Sequence, residues 1–293
     1  MIELNKICKY FENSSTRKDV LYNVSIQIKE NEIFGLIGQN GSGKSTLLKI
    51  ISGLLMPSSG NCNLGNYSSS ISLITPNNRS FYWRLTLKEN LEFFSKLNSL
   101  TKENYESEIS SLSNYFDISK KLDTKFMHLS EGEMQKASII RGLIFKPKLV
   151  LFDEPTSYLD QRSSKLLVDY VKNYICDGRI AIWCSHDIDN VEDLSTKIGV
   201  VSGNNVHLFK SKQNEKICIY NLETKDKKIF AKLDSEDIEY DYYMNNEKFF
   251  INFLLPDEKI NDFNSFLNIN LSSYSMSKNK GELRFFYNKL LKK

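Results

Sequence analysis

The chain has 293 residues, 41% hydrophobic and 26% charged, and its 39 basic and 36 acidic side chains leave a net charge of +3. Such a balance creates no strong positive field to attract nucleic acid. Five scattered cysteines form no C-x-x-C pair, so neither a disulfide framework nor a zinc site is predicted. Early charged residues argue against a signal peptide, and no apolar run approaches the roughly 18 residues of a membrane span, so we expect a cytoplasmic protein.

The N-terminal region contains a Gly-rich segment between a strand and a helix. Alternating and β-branched residues from Ile2 to Ile37 predict two or three strands, the last being Ile33 to Ile37. Residues 38–45 then match the GxxxxGK[ST] pattern, and a helix is predicted from Thr46 to Leu55. In this pattern, backbone N–H groups and the helix N-terminus surround the phosphates of a nucleoside triphosphate. The predicted binding residues are Gly38, Asn40, Gly41, Gly43, Lys44, Ser45 and Thr46.

The central region is predicted to be mainly helical. Pro57 and Gly60 end the helix that follows the Gly-rich loop, and a hairpin is predicted from Asn61 to Thr75 with a strand at Ser70 to Ile74. Helical periodicity then dominates from Asn90 to Lys146. The two predicted apolar faces are Leu91, Phe93, Phe94 and Leu97, and Ile109, Leu112, Tyr115 and Phe116.

Strands and helices alternate again beyond this region. A strand at Leu149 to Phe152, a helix at Gln161 to Ile175 and a strand at Ile180 to Cys184 predict an α/β fold with a parallel sheet covered by helices. Asp153 and Glu154 directly follow the first of these strands. We predict that Asp153 faces a Mg²⁺ ion on the phosphates and that Glu154 orients or deprotonates the attacking water. Ser45 is the second predicted Mg²⁺ ligand.

The composition changes near residue 205, and residues 206–293 are predicted to form a small α+β appendage without a catalytic motif. Lys, Asn, Tyr and Phe are more frequent there, without the bias of a disordered tail. The predicted elements are strands at Lys216 to Tyr220 and Lys248 to Leu254, a helix at Pro256 to Leu267, a strand at Asn268 to Tyr274 and a helix at Glu282 to Leu291.

Further motifs resemble those of the ATP-binding cassette (ABC) ATPases. The run Leu129 to Lys136 is similar to the signature of that family, residues 147–154 to its Walker B motif and Ser157 to Asp160 to its D-loop. His186 falls where the family carries its switch histidine. The resemblance covers Ile2 to about Ser202 and implies a P-loop ABC ATPase core in residues 1–205. That core would combine a mostly parallel sheet, an N-terminal antiparallel β subdomain and a helical subdomain at about residues 78–146.

The resemblance also implies how ATP is held. In this family two cassettes pair head to tail, and each ATP lies between the phosphate loop of one chain and the signature of the other. The implied signature contacts are Ser130, Gly132 and Glu133, at the start of a helix whose N–H groups can face the γ-phosphate. The alternative for this segment is an ordinary N-capped helix, because Ser followed by Glu three residues later is also a capping box.

Other residues receive roles from the resemblance. Glu154 and His186 are the implied catalytic residues, Asp160 belongs to the D-loop and Tyr10 matches the aromatic that stacks on adenine. Tyr10 has a core position as its alternative. Where the family usually has a Gln near Mg²⁺ and water, this chain has Asn77 and Asn78, so Asn77 is a further candidate Mg²⁺ ligand. Glu131 and Glu133 replace the commoner Gly and Gln, which puts the hydrolysis rate in question.

The segment Asn78 to Leu91 looks like the start of the helical subdomain in ABC exporters, which receives a coupling helix of the membrane subunit. Phe81, Tyr82 and Trp83 are predicted to be exposed there as an interface, with packing under the helices as the alternative. We therefore predict the ATPase subunit of an ABC exporter, using ATP and Mg²⁺, with a separate transmembrane permease and a second cassette, at the inner face of the membrane. The alternatives are a soluble ABC ATPase acting on the ribosome or nucleic acid, and a slowly hydrolysing ATP-gated regulatory module.

Overall fold

The computed structural model describes residues 1–13, 16–76, 80–209, 217–236, 238, 240–245, 247–256, 259–271, 274–279 and 282–291. The chain divides into two compact units, Met1–Leu208 and Phe209–Lys293. Among the residues described, no helix has both the length and the apolar character needed to cross a membrane.

The first unit contains strands and helices in alternation. In chain order they are β1 (Ile2–Asn13), β2 (Thr16–Ile28), β3 (Ile33–Gly38), α1 (Lys44–Ile51), β4 (Ser59–Asn63), β5 (Ile71–Ile74), α2 (Leu87–Leu97), α3 (Lys102–Tyr115), α4 (Glu131–Leu143), β6 (Leu149–Asp153), α5 (Gln161–Tyr174), β7 (Ile180–Ser185), α6 (Ile188–Leu194), β8 (Lys197–Ser202) and β9 (Asn205–Phe209). The predicted α/β architecture is confirmed.

The main sheet has six strands in the order β5-β6-β7-β3-β8-β9, and neighbouring strands from β5 through β8 are parallel. Strands β3 and β7 are buried along their whole length, and β6 is buried except at its last residue. This continuous burial is expected where helices or a second sheet cover both faces of a parallel sheet. The carboxyl ends of β3, β6 and β7 therefore meet at one edge of a rigid core.

An antiparallel sheet of strands β2, β1 and β4 packs on this core. Its buried side chains, among them Ile2, Leu4 and Leu21, belong to the same apolar cluster as Leu36 and Leu151 of the main sheet. The predicted hairpin from Asn61 to Thr75 is wrong. Strand β4 pairs with β1 of the antiparallel sheet, whereas β5 pairs with β6 of the parallel sheet.

Helices α2, α3 and α4 form the predicted helical region. Leu91 is fully buried on α2, but Leu97 and Phe93 are exposed, so that predicted apolar face is only partly correct. On α3 the predicted face is buried at Ile109 and Leu112, and Phe116 just beyond the helix is buried too. Tyr115 is exposed, contrary to the prediction.

The second unit has the elements β10 (Ile217–Thr224), α7 (Lys228–Ser235), β11 (Tyr240–Asn245), β12 (Lys248–Pro256), α8 (Ile260–Asn270), β13 (Tyr274–Asn279) and α9 (Glu282–Leu291). Its antiparallel sheet has the order β11-β12-β10-β13. A β-α-β-β-α-β succession with this order is the split β-α-β arrangement of ferredoxin-like folds. The strand predicted at Asn268 to Tyr274 is wrong, because α8 extends to Asn270 and the strand begins at Tyr274.

Candidate active site

The loop between β3 and α1 has the backbone conformation that its glycines allow. Gly41 and Gly43 have φ angles of 81° and 109°, in the left-handed region that side chains disfavour. A Cβ atom at Gly43 would also lie 3.0 Å from the carbonyl oxygen of Val20. The loop therefore brings its backbone N–H groups to the N-terminus of α1, an arrangement that suits an anion.

Lys44 is the first residue of α1, and its side chain is only 6% exposed. The Nζ atom donates to the carbonyl oxygens of Gly38 at 2.7 Å and Gln39 at 3.2 Å, and lies 3.8 Å from Oε1 of Glu154. An ammonium group held this way is a pre-positioned donor with a carboxylate as its counter-charge. The structure thus brings together Lys44, at the start of α1, and Glu154, directly after β6.

Ser45 and Asp153 form a pair of oxygen ligands at the same edge. The Ser45 hydroxyl donates to Oδ1 of Asp153 at 3.0 Å. Burial, and then the neighbouring charge of Glu154, raise the pKa of Asp153 above its ordinary value, so this carboxylate lacks full compensation by positive charge. Two hard oxygen donors fit a Mg²⁺ ion that takes its remaining ligands from phosphate and water. Within the described ranges, no group of three or more His, Cys, Asp or Glu could hold a metal by itself.

Glu154 is held in an unusual backbone conformation, with a φ angle of 49°. Its N–H donates to the carbonyl oxygen of Cys184 at 2.9 Å, which anchors the turn to β7. Oε2 lies 2.8 Å from Nδ1 of His186, whereas Oε1 is buried and has no hydrogen-bond partner in the described part of the structure. One carboxylate oxygen is thus fixed by the histidine, and the other can accept a proton.

A cleft of about 290 Å³ adjoins this edge of the sheet. Its lining residues are Phe11, Lys18, Val20, Asn40, Gly41, Gly43, Lys44, Ser45, Thr46, Asp153 and Glu154. Tyr10, the aromatic predicted from the resemblance, does not line the cleft, and its ring is covered by the Arg17 guanidinium at 4.0 Å. Successive side chains of a strand point to opposite faces, which explains why its neighbour Phe11 faces the cleft instead.

The predicted signature residues lie at the start of α4. Ser130 is the N-cap, and its hydroxyl oxygen accepts from the N–H of Glu133 at 3.3 Å. The Glu133 carboxylate accepts in return from the N–H of Ser130 at 2.9 Å, and also forms an ion pair with Lys121 at 3.1 Å. The capping-box alternative therefore describes this helix start correctly, and such a box does not prevent Ser130 from contacting a ligand.

The segment after Glu154 packs against the same helix. The Gln135 side chain, fully buried, donates to the carbonyl oxygen of Pro155 at 2.9 Å. A Cβ atom at Gly132 would lie 2.9 Å from the carbonyl oxygen of Tyr158, so only glycine fits there without displacing the loop. Asp160 caps α5, accepting from the N–H of Ser163 at 2.7 Å.

Phe81 is buried, contrary to its predicted exposure, and stacks on Phe126 with ring centroids 4.3 Å apart. Tyr82 and Trp83 are both 49% exposed, as predicted. Arg141 of α4 lies over the Phe81 ring at 4.5 Å, and burial lowers its pKa to about 10. Tyr82 and Trp83 form an exposed aromatic surface. Phe81, directly before them, thus contacts α4, the helix that begins at the predicted signature.

Asn77 and Asn78, the predicted replacements for the family glutamine, lie outside the described residues. Three residues near the site were given no individual role in the sequence analysis: Phe11, Lys121 and Gln135. Lys121 and Gln135 make contacts across 12 and 20 residues of chain, and no local pattern indicates such contacts.

Comparison with known proteins agrees with this geometry. The profile of the ABC transporter family matches residues 21–157. The linearmycin resistance ATP-binding protein LnrL of Bacillus subtilis (strain 168) is 31% identical over 194 residues, covering 63% of this chain and 62% of that protein. The methionine import ATP-binding protein MetN of Geobacillus kaustophilus (strain HTA426) is 28% identical over 237 residues, covering 73% and 68%.

A solved structure shares the architecture of the first unit. The dimeric structure of MJ0796, described as a bacterial ABC transporter cassette, superposes with a TM-score of 0.64 at 25% sequence identity. The match covers 71% of this chain and 97% of the MJ0796 chain.

Proposed function

The chain belongs to the ABC transporter ATPase family, and from this premise we propose that it powers export through a separate membrane subunit by pairing head to tail with a second cassette around ATP. It is an ATP-hydrolysing transporter subunit. The observation that carries the ATP-dependent part of the proposal is the convergence of Lys44, the Ser45–Asp153 pair and the Glu154–His186 pair at one edge of the sheet.

We assign the residues of this edge as follows. Lys44 binds the β- and γ-phosphates, because its ammonium group is already aimed along the phosphate loop. Ser45 and Asp153 hold Mg²⁺, which when bound offsets the negative charge of the phosphates. Oε1 of Glu154 accepts the proton of the attacking water, while His186 fixes the other oxygen.

The proposed pairing places Ser130 and the N–H groups of α4 against the γ-phosphate bound by the other chain. The dimeric form of MJ0796 supports this arrangement. Each chain would then contribute to both ATP sites, and hydrolysis would release the contact. The second cassette is proposed to be a second copy of this chain.

Adenine is proposed to stack on Phe11 rather than on Tyr10. Phe11→Ala should weaken ATP binding about 5- to 100-fold, because stacking on a base is worth roughly 1–3 kcal/mol. Tyr10→Ala is the matched control and should change the Kd less than threefold, since Tyr10 does not line the cleft. Calorimetric titration of each full-length variant with ATP measures both Kd values. A larger loss for Tyr10→Ala would restore the original assignment.

The membrane subunit is proposed to dock on the aromatic surface formed by Tyr82 and Trp83. Trp83→Ala should lower recovery of a multi-spanning partner from gently solubilised native membranes at least tenfold, because half-exposed Trp residues are frequent binding hot spots. Tyr22→Ala removes an aromatic of β2 that is more exposed, at 65% against 49% for Trp83, and should leave recovery unchanged. Equal recovery with both variants would exclude this surface, and recovery of ribosomes or DNA with the wild type would favour the nucleic-acid alternative.

The outward direction rests on the docking segment and on the resistance function in the name of LnrL. The import function named for MetN supports the opposite direction. Deleting the gene distinguishes them: a strain that becomes sensitive to a toxic compound supports export, whereas a strain that loses growth on a required nutrient supports import. Residues 206–293 are proposed to be an accessory domain of this subunit.

A further inference from the structure

The first turn of α4 carries negative charge at the position where the proposed pairing brings in a triphosphate. Glu131 and Glu133 both lie in that turn. Carboxylates near a helix N-terminus stabilise the helix of an isolated chain, but like charges brought together at an interface cost several kcal/mol. A chain that pairs through this turn therefore needs a way to neutralise or redirect the charge. This inference rests on the proposed pairing.

Both carboxylate oxygens of Glu133 are engaged within the chain. Oε1 lies 3.1 Å from Nζ of Lys121, and Oε2 accepts from the N–H of Ser130 at 2.9 Å. Burial raises the pKa of Glu133, but the hydrogen bond from Ser130 and the charge of Lys121 outweigh it, so the pKa lies below its ordinary value. Glu133 is therefore ionised, and its charge is held against its own chain.

Lys121 reaches Glu133 from outside α4. It ends the short turn Ser119–Lys121 between α3 and α4, and its side chain is 44% exposed, against 24% for Glu133. The ion pair therefore depends on the helical region being folded around the helix start. A partly exposed pair of this kind contributes under about 1 kcal/mol to stability, so the helical region is expected to stay folded without it.

The arrangement leaves Ser130 able to act on a ligand. In its hydrogen bond with the N–H of Glu133, the Ser130 hydroxyl oxygen is only the acceptor. A hydroxyl also has one O–H donor, which remains available for a phosphate oxygen. The capping box thus fixes the orientation of Ser130 without using its proton.

We propose that Lys121 is a positioning residue for ATP-driven pairing: its ion pair with Glu133 holds that carboxylate away from the γ-phosphate of the ATP bound by the other chain, so that Ser130 and the N–H groups of α4 face the phosphate. Loss of Lys121 frees a negative charge to swing toward the triphosphate. Loss of the Glu133 charge removes the need for Lys121.

The test measures the ATP concentration at which the full-length chain is half dimeric, by light scattering, in a Glu154→Gln background that prevents turnover. Lys121→Ala should raise this concentration about tenfold, and Glu133→Gln, which keeps the capping box, should lower it about threefold. The double variant Lys121→Ala/Glu133→Gln should return to within twofold of Glu133→Gln alone. Lys120→Ala, one residue earlier in the same turn, is the matched control and should have no effect.

The outcomes separate the inference from the function on which it rests. If the Glu154→Gln parent forms no dimer in ATP, the proposed pairing itself fails. If the parent dimerises but Lys121→Ala does not raise the ATP requirement, the positioning role is wrong. If the double variant stays as weak as Lys121→Ala, Lys121 acts through the fold of the helical region rather than through Glu133, and the inference is also overturned.

Discussion

Glu154→Gln is expected to lower kcat about 10²- to 10⁴-fold and to accumulate an ATP-bound dimer, because an amide cannot accept the proton of the attacking water. The substitution preserves the length of the side chain and the 2.8 Å approach of His186 to its remaining carbonyl oxygen. Phosphate release measures the first effect, and size-exclusion chromatography with light scattering in ATP measures the second.

The control is Glu103→Gln, an exposed carboxylate in the first turn of α3 that lies outside the cleft. It should keep wild-type turnover and form no trapped dimer. A Glu154→Gln variant that binds ATP yet stays monomeric would contradict the head-to-tail arrangement, and one that keeps wild-type turnover would remove Glu154 from its assigned role as base.

Lys44→Ala is expected to raise the Kd for ATP at least about 30-fold, because removing one partner of a buried charge pair costs about 2–5 kcal/mol. The loss is large since Lys44 is buried and already hydrogen-bonded to the Gly38 and Gln39 carbonyls that frame the loop. Equilibrium binding of a fluorescent ATP analogue measures it.

Lys49→Ala serves as the matched control, since Lys49 is an exposed residue of the last turn of the same helix. It should bind ATP with a Kd within twofold of wild type. Thermal melting of both variants shows whether the fold is retained. Normal ATP affinity in a folded Lys44→Ala variant would overturn the assignment of the phosphate loop.

The sequence predicted well those parts of the fold that local patterns determine. Strands β3, β6 and β7 are short apolar runs, and burial on both faces makes such runs easy to recognise. The phosphate loop could be predicted because its glycines are the residues that readily adopt the positive φ angles it needs. His186 could be placed only through the family resemblance, because a single histidine after a strand has no pattern of its own.

Long-range strand pairing explains why the predicted hairpin is wrong. Residues 61–75 look like a hairpin because two short strands flank Gly65, yet Asn63 pairs with Glu3 and Ile71 with Leu149. Nothing between residues 61 and 75 specifies those partners. The number of strands could be predicted, but their assignment to two different sheets could not.

The position of Phe11, rather than Tyr10, at the cleft has a different physical cause. The pairing of β1 with β2 shifts its register between Leu4 and Ile7, between Ile7 and Lys9, and between Lys9 and Tyr10. Each irregularity can move a side chain from one face of the strand to the other. Alternation along the sequence therefore could not show which of these two aromatic residues faces the cleft, and the prediction of Tyr10 rests on the family resemblance alone.

The contacts of Gln135 with Pro155 and of Gly132 with the Tyr158 carbonyl have a consequence for turnover. Pro155 and Tyr158 follow Glu154, the proposed base at a chain's own ATP, whereas Gly132 faces the ATP bound by the other chain in the proposed pair. In that pair, a shift of Glu154 during hydrolysis would be transmitted within one polypeptide to the opposite nucleotide. The two ATP molecules of a pair would then be consumed cooperatively, and the dependence of rate on ATP concentration would be sigmoidal.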